Sequence, residues 1–205
     1  MGIRCTRDVS QVQNLLKNLR ILSEKELAVG ILSSQKEKML MIANVHEFGA
    51  QIKAKNGKYL SIPLEPNFRH ISPRQVSGLF VYRSRRGNLF LARRQGNGGL
   101  QMCYWLTKEV NIPERSFIRA GFDAHRIEME RFGEQSLVQF LPMKDGISRF
   151  YDAMGNFAVG KIRTFLVDLR DPANSPLTVH LKGSSNPLVG NSHLGDHITY
   201  RMRKK

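Results

Sequence analysis

The spacing of apolar residues changes character several times along the chain. From Val9 to Leu22, the residues Val12, Leu15, Leu16, Leu19 and Leu22 recur at three- and four-residue steps. That spacing predicts a helix with one buried stripe, capped at its start by Asp8 or Ser10. Glu26 to Leu32 is short, apolar and interrupted by Gly30. It predicts a buried strand whose glycine lets another backbone come close. Helical spacing returns from Ser34 to Phe48 through Met39, Ile42, Ala43, Val45 and Phe48, with Gly49 placed to end the helix. The stretch from Gln51 to Leu106 alternates instead, with no helical period. Leu79 to Arg83 and Asn88 to Arg93 flank Ser84-Arg85-Arg86-Gly87, a hairpin turn with glycine in the left-handed position. Leu100 to Leu106 follows as a third strand and holds Trp105, the single tryptophan.

Past Pro113, Ser116 to Ala124 predicts a helical turn or two, and Arg126 to Leu141 has mixed spacing. Ile147 to Leu169 is the best helix of the second half, with Ile147, Phe150, Met154, Phe157, Ala158, Ile162, Phe165, Leu166 and Leu169 in step. Asp171-Pro172 and Ser175-Pro176 end it. Leu177 to Leu181 and Ile198 to Met202 then alternate as two strands around a loop built on Gly183, Pro187, Gly190 and Gly195. The elements predict an α+β fold, a small mixed or antiparallel sheet packed against several helices, with a projecting basic β-hairpin arm. The organisation that follows is a single domain over 1–205, with 51–106 as an inserted basic arm.

Composition narrows the class. With 205 residues, 41% hydrophobic and 24% charged, the chain has the material for one buried core. No apolar run approaches the roughly 20 residues of a bilayer span, and Met1 to Asp8 lacks the apolar centre of a signal peptide, so no membrane and a cytoplasmic site of assembly are expected. Two cysteines, Cys5 and Cys103, are too few for a disulfide framework or a four-cysteine metal site and read as free thiols.

Charge changes the picture most. Lys53, Lys55, Lys58, Arg69, Arg74, Arg83, Arg85, Arg86, Arg93 and Arg94 stand against one acid, Glu65, in a single stretch that supplies nine of the net +15. Arg201-Met202-Arg203-Lys204-Lys205 forms a second cluster. A surface tuned only for solubility mixes both signs, so the segregation favours a polyanionic neighbour over a merely solvated face. That neighbour is either nucleic acid or the acidic face of another protein.

Catalytic patterns fare poorly. His193 and His197 lie four apart with Asp196 beside them, but Gly195 and a turn-rich neighbourhood argue against the helix a metal pair needs. His46-Glu47 lacks the second histidine of a zincin. His125, Glu128 and Glu130 have no evident partner, Ser192-His193 is adjacency without a triad, and no glycine-rich phosphate loop or nucleophile elbow occurs. The chain therefore reads as a non-enzyme with no metal and no cofactor.

Three segments remain: Val45-His46-Glu47-Phe48-Gly49-Ala50, then Val110 to Arg119 with Ile112-Pro113-Glu114-Arg115-Ser116-Phe117-Ile118, then Lys182-Gly183-Ser184-Ser185-Asn186-Pro187-Leu188-Val189 followed by Ile198-Thr199-Tyr200. Each joins an apolar anchor to a turn-forming Gly or Pro and a charge, which suits a site that fixes backbone geometry. In this order and at these intervals they resemble the tail-completion, or virion-morphogenesis, proteins of tailed bacteriophages, over nearly the whole chain. Where members of that family often carry Asp-Thr-Gly, this chain has Gly190-Asn191-Ser192. The resemblance implies a structural virion protein at the neck that completes the tail or joins it to the head. Its implied partners are copies of itself in a homo-oligomeric ring, a hexamer by preference, together with the tail terminator or tail tube and head-completion proteins. Genomic DNA in the channel is a further partner, contacted without sequence specificity. The implied location is the virion, with assembly in the host cytoplasm. Candidate subunit-interface residues are His46, Glu47, Phe48, Ile112, Pro113, Arg115, Phe117 and Arg119. Phe48, Ile112 and Phe117 suit either the core or a contact, with the core favoured by the usual burial of such residues. Arg115 and Arg119, four apart on a short helix, face either a neighbour's carboxylates or solvent. The alternative reading is a stand-alone basic nucleic-acid-binding protein without catalytic activity.

Overall fold

Among the described residues, five α-helices and eight short strands make an α+β fold in which small antiparallel sheets pack against helices. The computed structural model describes residues 10–32, 37–55, 57–96, 98–190 and 194–205. Cys5, Asp8, the 34–36 start of the second predicted helix, and Asn191, Ser192 and His193 lie outside the described residues. The chain divides into two compact units, each assembled from separated segments: Met1–Ala43, Ser116–Asp168 and Ser192–Lys205 in the first, Asn44–Arg115 and Leu169–Asn191 in the second. The segment 51–106 is thus one part of a larger body that also takes in chain from beyond residue 168.

The first unit is organised by α4 (Gly146–Asp168), the helix most legible in the sequence. Ile147, Phe150, Tyr151, Ala158, Val159, Ile162 and Leu166 form its buried face. Removing a side chain of this size from water contributes about 1.5–3 kcal/mol. The long helix α3 (Arg119–Phe140) packs along it, with the Phe132 and Phe157 rings stacked at 4.2 Å. Gly121 allows this approach, since a Cβ there would come within 3.3 Å of Phe165. Where the sequence predicts a short turn and a separate mixed segment, α3 is continuous for 22 residues. Its pattern is blurred because Phe122, Ile127 and Val138 are exposed.

β1 (Lys25–Gly30) pairs antiparallel with β8 (Thr199–Lys204), from Lys25 opposite Lys204 to Gly30 opposite Thr199. β1 is half-buried, not buried, and a Cβ at Gly30 would meet the Ile118 side chain at 3.6 Å instead of another backbone. In α1 (Ser10–Glu24) the predicted stripe is largely open, with Val12, Leu16 and Leu19 at 55%, 63% and 44% exposure. The buried residue of that helix is polar: Asn18 donates through Nδ2 to the carbonyl oxygens of Leu141 and Met143, each at 2.8 Å. It satisfies the Leu141 carbonyl at the end of α3 and adds a second donor to the Met143 carbonyl, which also accepts from the Gly146 amide at 3.1 Å.

α2 (Glu37–Phe48) leads into the second unit, and Gly49, at φ 70°, ends it. β2 (Ala50–Lys53) pairs with β7 (Glu109–Ile112), and a four-stranded sheet runs in the order β3 (Leu60–Pro63), β6 (Leu100–Thr107), β5 (Leu89–Arg94), β4 (Phe80–Arg83). The basic hairpin is β4–β5, turning at Ser84–Gly87 with Gly87 at φ 83°. It lies at the edge of a sheet that has a core of its own: Phe68, Cys103 and Tyr104, with Val76, Leu79 and Leu91 packed against them. The Tyr104 hydroxyl donates to the Ile71 carbonyl at 2.8 Å, which fixes the loop that carries Phe68.

Leu177–Leu181 is helical and not a strand. α5 (Pro176–Lys182) opens on Ser175, whose Oγ accepts from the Thr178 amide, has Pro176 in its first turn, and closes on Gly183 at φ 71°. Five alternating residues fit either structure, and the Ser-Pro start with a Gly end decides for helix.

Candidate functional site

The second unit holds the first motif, the second motif up to Arg115 and Lys182–Val189 of the third, while Ser116–Arg119 and Ile198–Tyr200 belong to the first unit. At Gly49 a Cβ would lie 3.0 Å from both the Glu114 amide nitrogen and the Ile112 carbonyl oxygen, so the end of the first motif is packed directly on the backbone of the second. Ala50 then pairs with Ile112, and the Arg115 amide donates to the His46 carbonyl at 2.7 Å. The Arg115 side chain reaches the segment that leads into α5 (Pro176–Lys182): Nε donates to the Pro172 carbonyl at 2.6 Å and Nη2 to the Ala173 carbonyl at 3.0 Å. Lys182 fastens the loop after α5, donating to the carbonyls of Asn186 at 2.6 Å and Pro187 at 3.2 Å. Asn186 Oδ1 in turn accepts from the amides of Leu188 and Val189.

The electrostatics are those of a structural clamp. Arg115 is 5% exposed and its charge is met by carbonyl dipoles; burial lowers its pKa. Burial lowers the Lys182 pKa too, helped by Arg115 and Arg69. His46 is pushed below its ordinary value, first by burial and then by the Arg115 and Lys182 charges, and its Nδ1 is buried without a hydrogen-bond partner. The imidazole is therefore neutral at pH 7.

The interface candidates separate into different settings. Arg115 is buried and precedes α3, so it neither faces solvent nor shares a helix with Arg119, which is exposed at the start of α3. Glu47 and Phe117 are buried, Ile112 is half-buried, and Pro113 is exposed. Phe48, favoured for the core, is 61% exposed. His46 is half-buried within the clamp.

All ten basic residues of the 53–94 stretch are exposed. Among the described residues only Lys53 has a carboxylate partner, Glu109 at 3.7 Å. Glu65, the one acid in that stretch, faces His180 at 3.4 Å. The second unit as a whole has fourteen Lys and Arg against five Asp and Glu.

Groups with chemical potential are few. Cys103 is a buried free thiol whose pKa burial raises. Leu194–His197 forms a 3-10 turn, with the Gly195 carbonyl accepting from Arg163. No cluster of three His, Cys, Asp or Glu suited to a metal occurs among the described residues. Sequence reasoning missed Asn18 and Lys182 as fastening residues; the Ser-Pro and Gly pair around α5 was an available signal for the second, and nothing local marked the first. Comparison of the chain with family models, with curated proteins and with solved structures finds no match.

Proposed function

We propose that this chain is a structural virion protein of a tailed bacteriophage, a ring-forming subunit that completes the tail or joins it to the head without catalysing a reaction. The observation that carries the reading is the open stripe on α1. Val12, Leu16 and Leu19 repeat at helical spacing yet stay exposed in the single chain. A ridge of that kind gains free energy by seating in a groove of another subunit. The clamp around Arg115 supports the same reading, since a ring closes only when the subunit holds its contact angle rigidly. Exposed Phe48, at the end of α2 beside that clamp, offers a second apolar contact.

The exposed basic face, with Lys53 alone of its ten charges paired to a carboxylate among the described residues, favours the second reading, a stand-alone nucleic-acid-binding protein. The two separate cleanly by experiment. Purified virions contain the chain in ring-sized multiples per particle under the first reading and lack it under the second. Leu16→Asp tests the stripe: the variant keeps wild-type thermal stability, because the side chain is exposed, and fails to enter particles. Normal incorporation of Leu16→Asp overturns the assignment of α1 to the contact.

A further inference from the structure

A cleft of about 830 Å³ opens in the second unit, lined by Ser77, Phe80, Arg93, Arg94, Gln95 and Gln101 with the backbone of Gly78 and Gly96. No carboxylate lines it. Arg93 is held in place from two sides: its Nε donates to Gln101 Oε1 at 2.8 Å, and its guanidinium sits 5.5 Å from the centre of the Phe68 ring. Neither Arg93 nor Arg94 forms an ion pair among the described residues. Two guanidinium groups, two amides and a hydroxyl around one space make a donor-rich site for an anion whose oxygens accept several hydrogen bonds. The volume exceeds what a single small anion needs and falls within the range of sites for larger ligands. Phe80 adds a partly exposed aromatic ring to the wall. A sugar or base packs on such a ring. Arg83 lies at the far end of the same strand, and Arg85 and Arg86 occupy the turn beyond.

We infer that this cleft binds the phosphodiester backbone of a nucleic acid, with successive phosphates against Arg93 and Arg94 and an adjoining sugar or base against Phe80. The inference rests on the second unit alone and is independent of ring formation, which virion content reports separately.

The test is fluorescence anisotropy with a labelled duplex of about 20 base pairs and a single strand of the same length, titrated from about 50 to about 200 mM salt. Replacing both arginines (R93A with R94A) should weaken binding at least tenfold and lower the slope of log K against log salt by about 1.8 on the duplex, two contacts at about 0.9 each, and by about 1.4 on the single strand. Arg93→Lys with Arg94→Lys keeps the charge but loses the planar fork, and should still weaken binding several-fold. A larger loss on the single strand than on the duplex for Phe80→Ala assigns the ring to a base, and an equal loss assigns it to the sugar. Because Arg93 also packs on Phe68, Arg94→Ala alone, checked by thermal melting, provides the second variant. Unchanged affinity and salt slope in a folded Arg94→Ala protein overturn the inference. So does polyglutamate competing as well as DNA at equal charge, which would identify an acidic protein as the occupant.

Discussion

Two glycines on α4 offer a matched test of how the first unit is packed. Gly155 and Gly160 both lie inside the helix, and alanine at either should gain about 1 kcal/mol from helix propensity and reduced chain entropy. Their surroundings differ. At Gly160 a Cβ meets nothing within 4 Å, so the full gain should appear. At Gly155 the same atom would lie 2.3 Å from both Cγ and Cδ2 of Tyr200. Carbon atoms rest at about 3.5–4 Å, so the ring must retreat by more than 1 Å. Tyr200 is poorly placed to retreat, being paired with Val29 across the β1–β8 sheet and tied by its hydroxyl to Asp152 at 3.2 Å. Overpacking of this kind costs about 3 kcal/mol, which leaves Gly155→Ala destabilised by about 2 kcal/mol. The two variants should therefore differ by about 3 kcal/mol with opposite signs, read by urea unfolding followed at the helical circular-dichroism band. If Gly155→Ala proves as stable as the wild type with an unchanged denaturant slope, α4 and β8 are not packed as described.

Asn18→Leu suits the apolar pattern of α1 but strips the Leu141 carbonyl of its donor while the Met143 carbonyl keeps the Gly146 amide; a loss of about 1–3 kcal/mol is expected in the same unfolding assay, and a neutral effect would deny Asn18 its role. Arg115→Met keeps the volume of the clamp and leaves the Pro172 and Ala173 carbonyls unpaired, for a loss of about 2–3 kcal/mol, with faster proteolysis between 169 and 191 as the local readout. His46 links the clamp to pH. Its folded-state pKa lies below the ordinary 6.5, so the unfolded chain binds the proton first. Its stability contribution is complete above pH 6.5 and falls as pH drops through 6.5 toward the lower folded value. Stability measured across that window should flatten in His46→Gln, and an identical slope in both proteins would remove His46 from the account.

Several features of this protein follow from its sequence with little help. α4, the β4–β5 hairpin, the end of α2 at Gly49 and the strand at Thr199–Lys204 are set by periodicity and by glycine within a few residues, and they stand where the pattern puts them. The basic stretch is exposed because ten charges with one acid among them cannot be buried at acceptable cost. Tertiary structure decided the rest. Whether the α1 stripe is covered depends on what the fold brings against it, and the fold brings Asn18 inward to carbonyls 123 and 125 positions away. Continuity of α3 and the helical state of Leu177–Leu181 turned on capping and packing that short alternations do not reveal. Arg115 has the composition of a surface residue and lies buried, because its acceptors are main-chain oxygens 57 and 58 positions further on. Local pattern reports what a residue prefers among near neighbours along the chain. Which backbone carbonyls meet a side chain from the far end of the sequence is settled only when the whole unit closes.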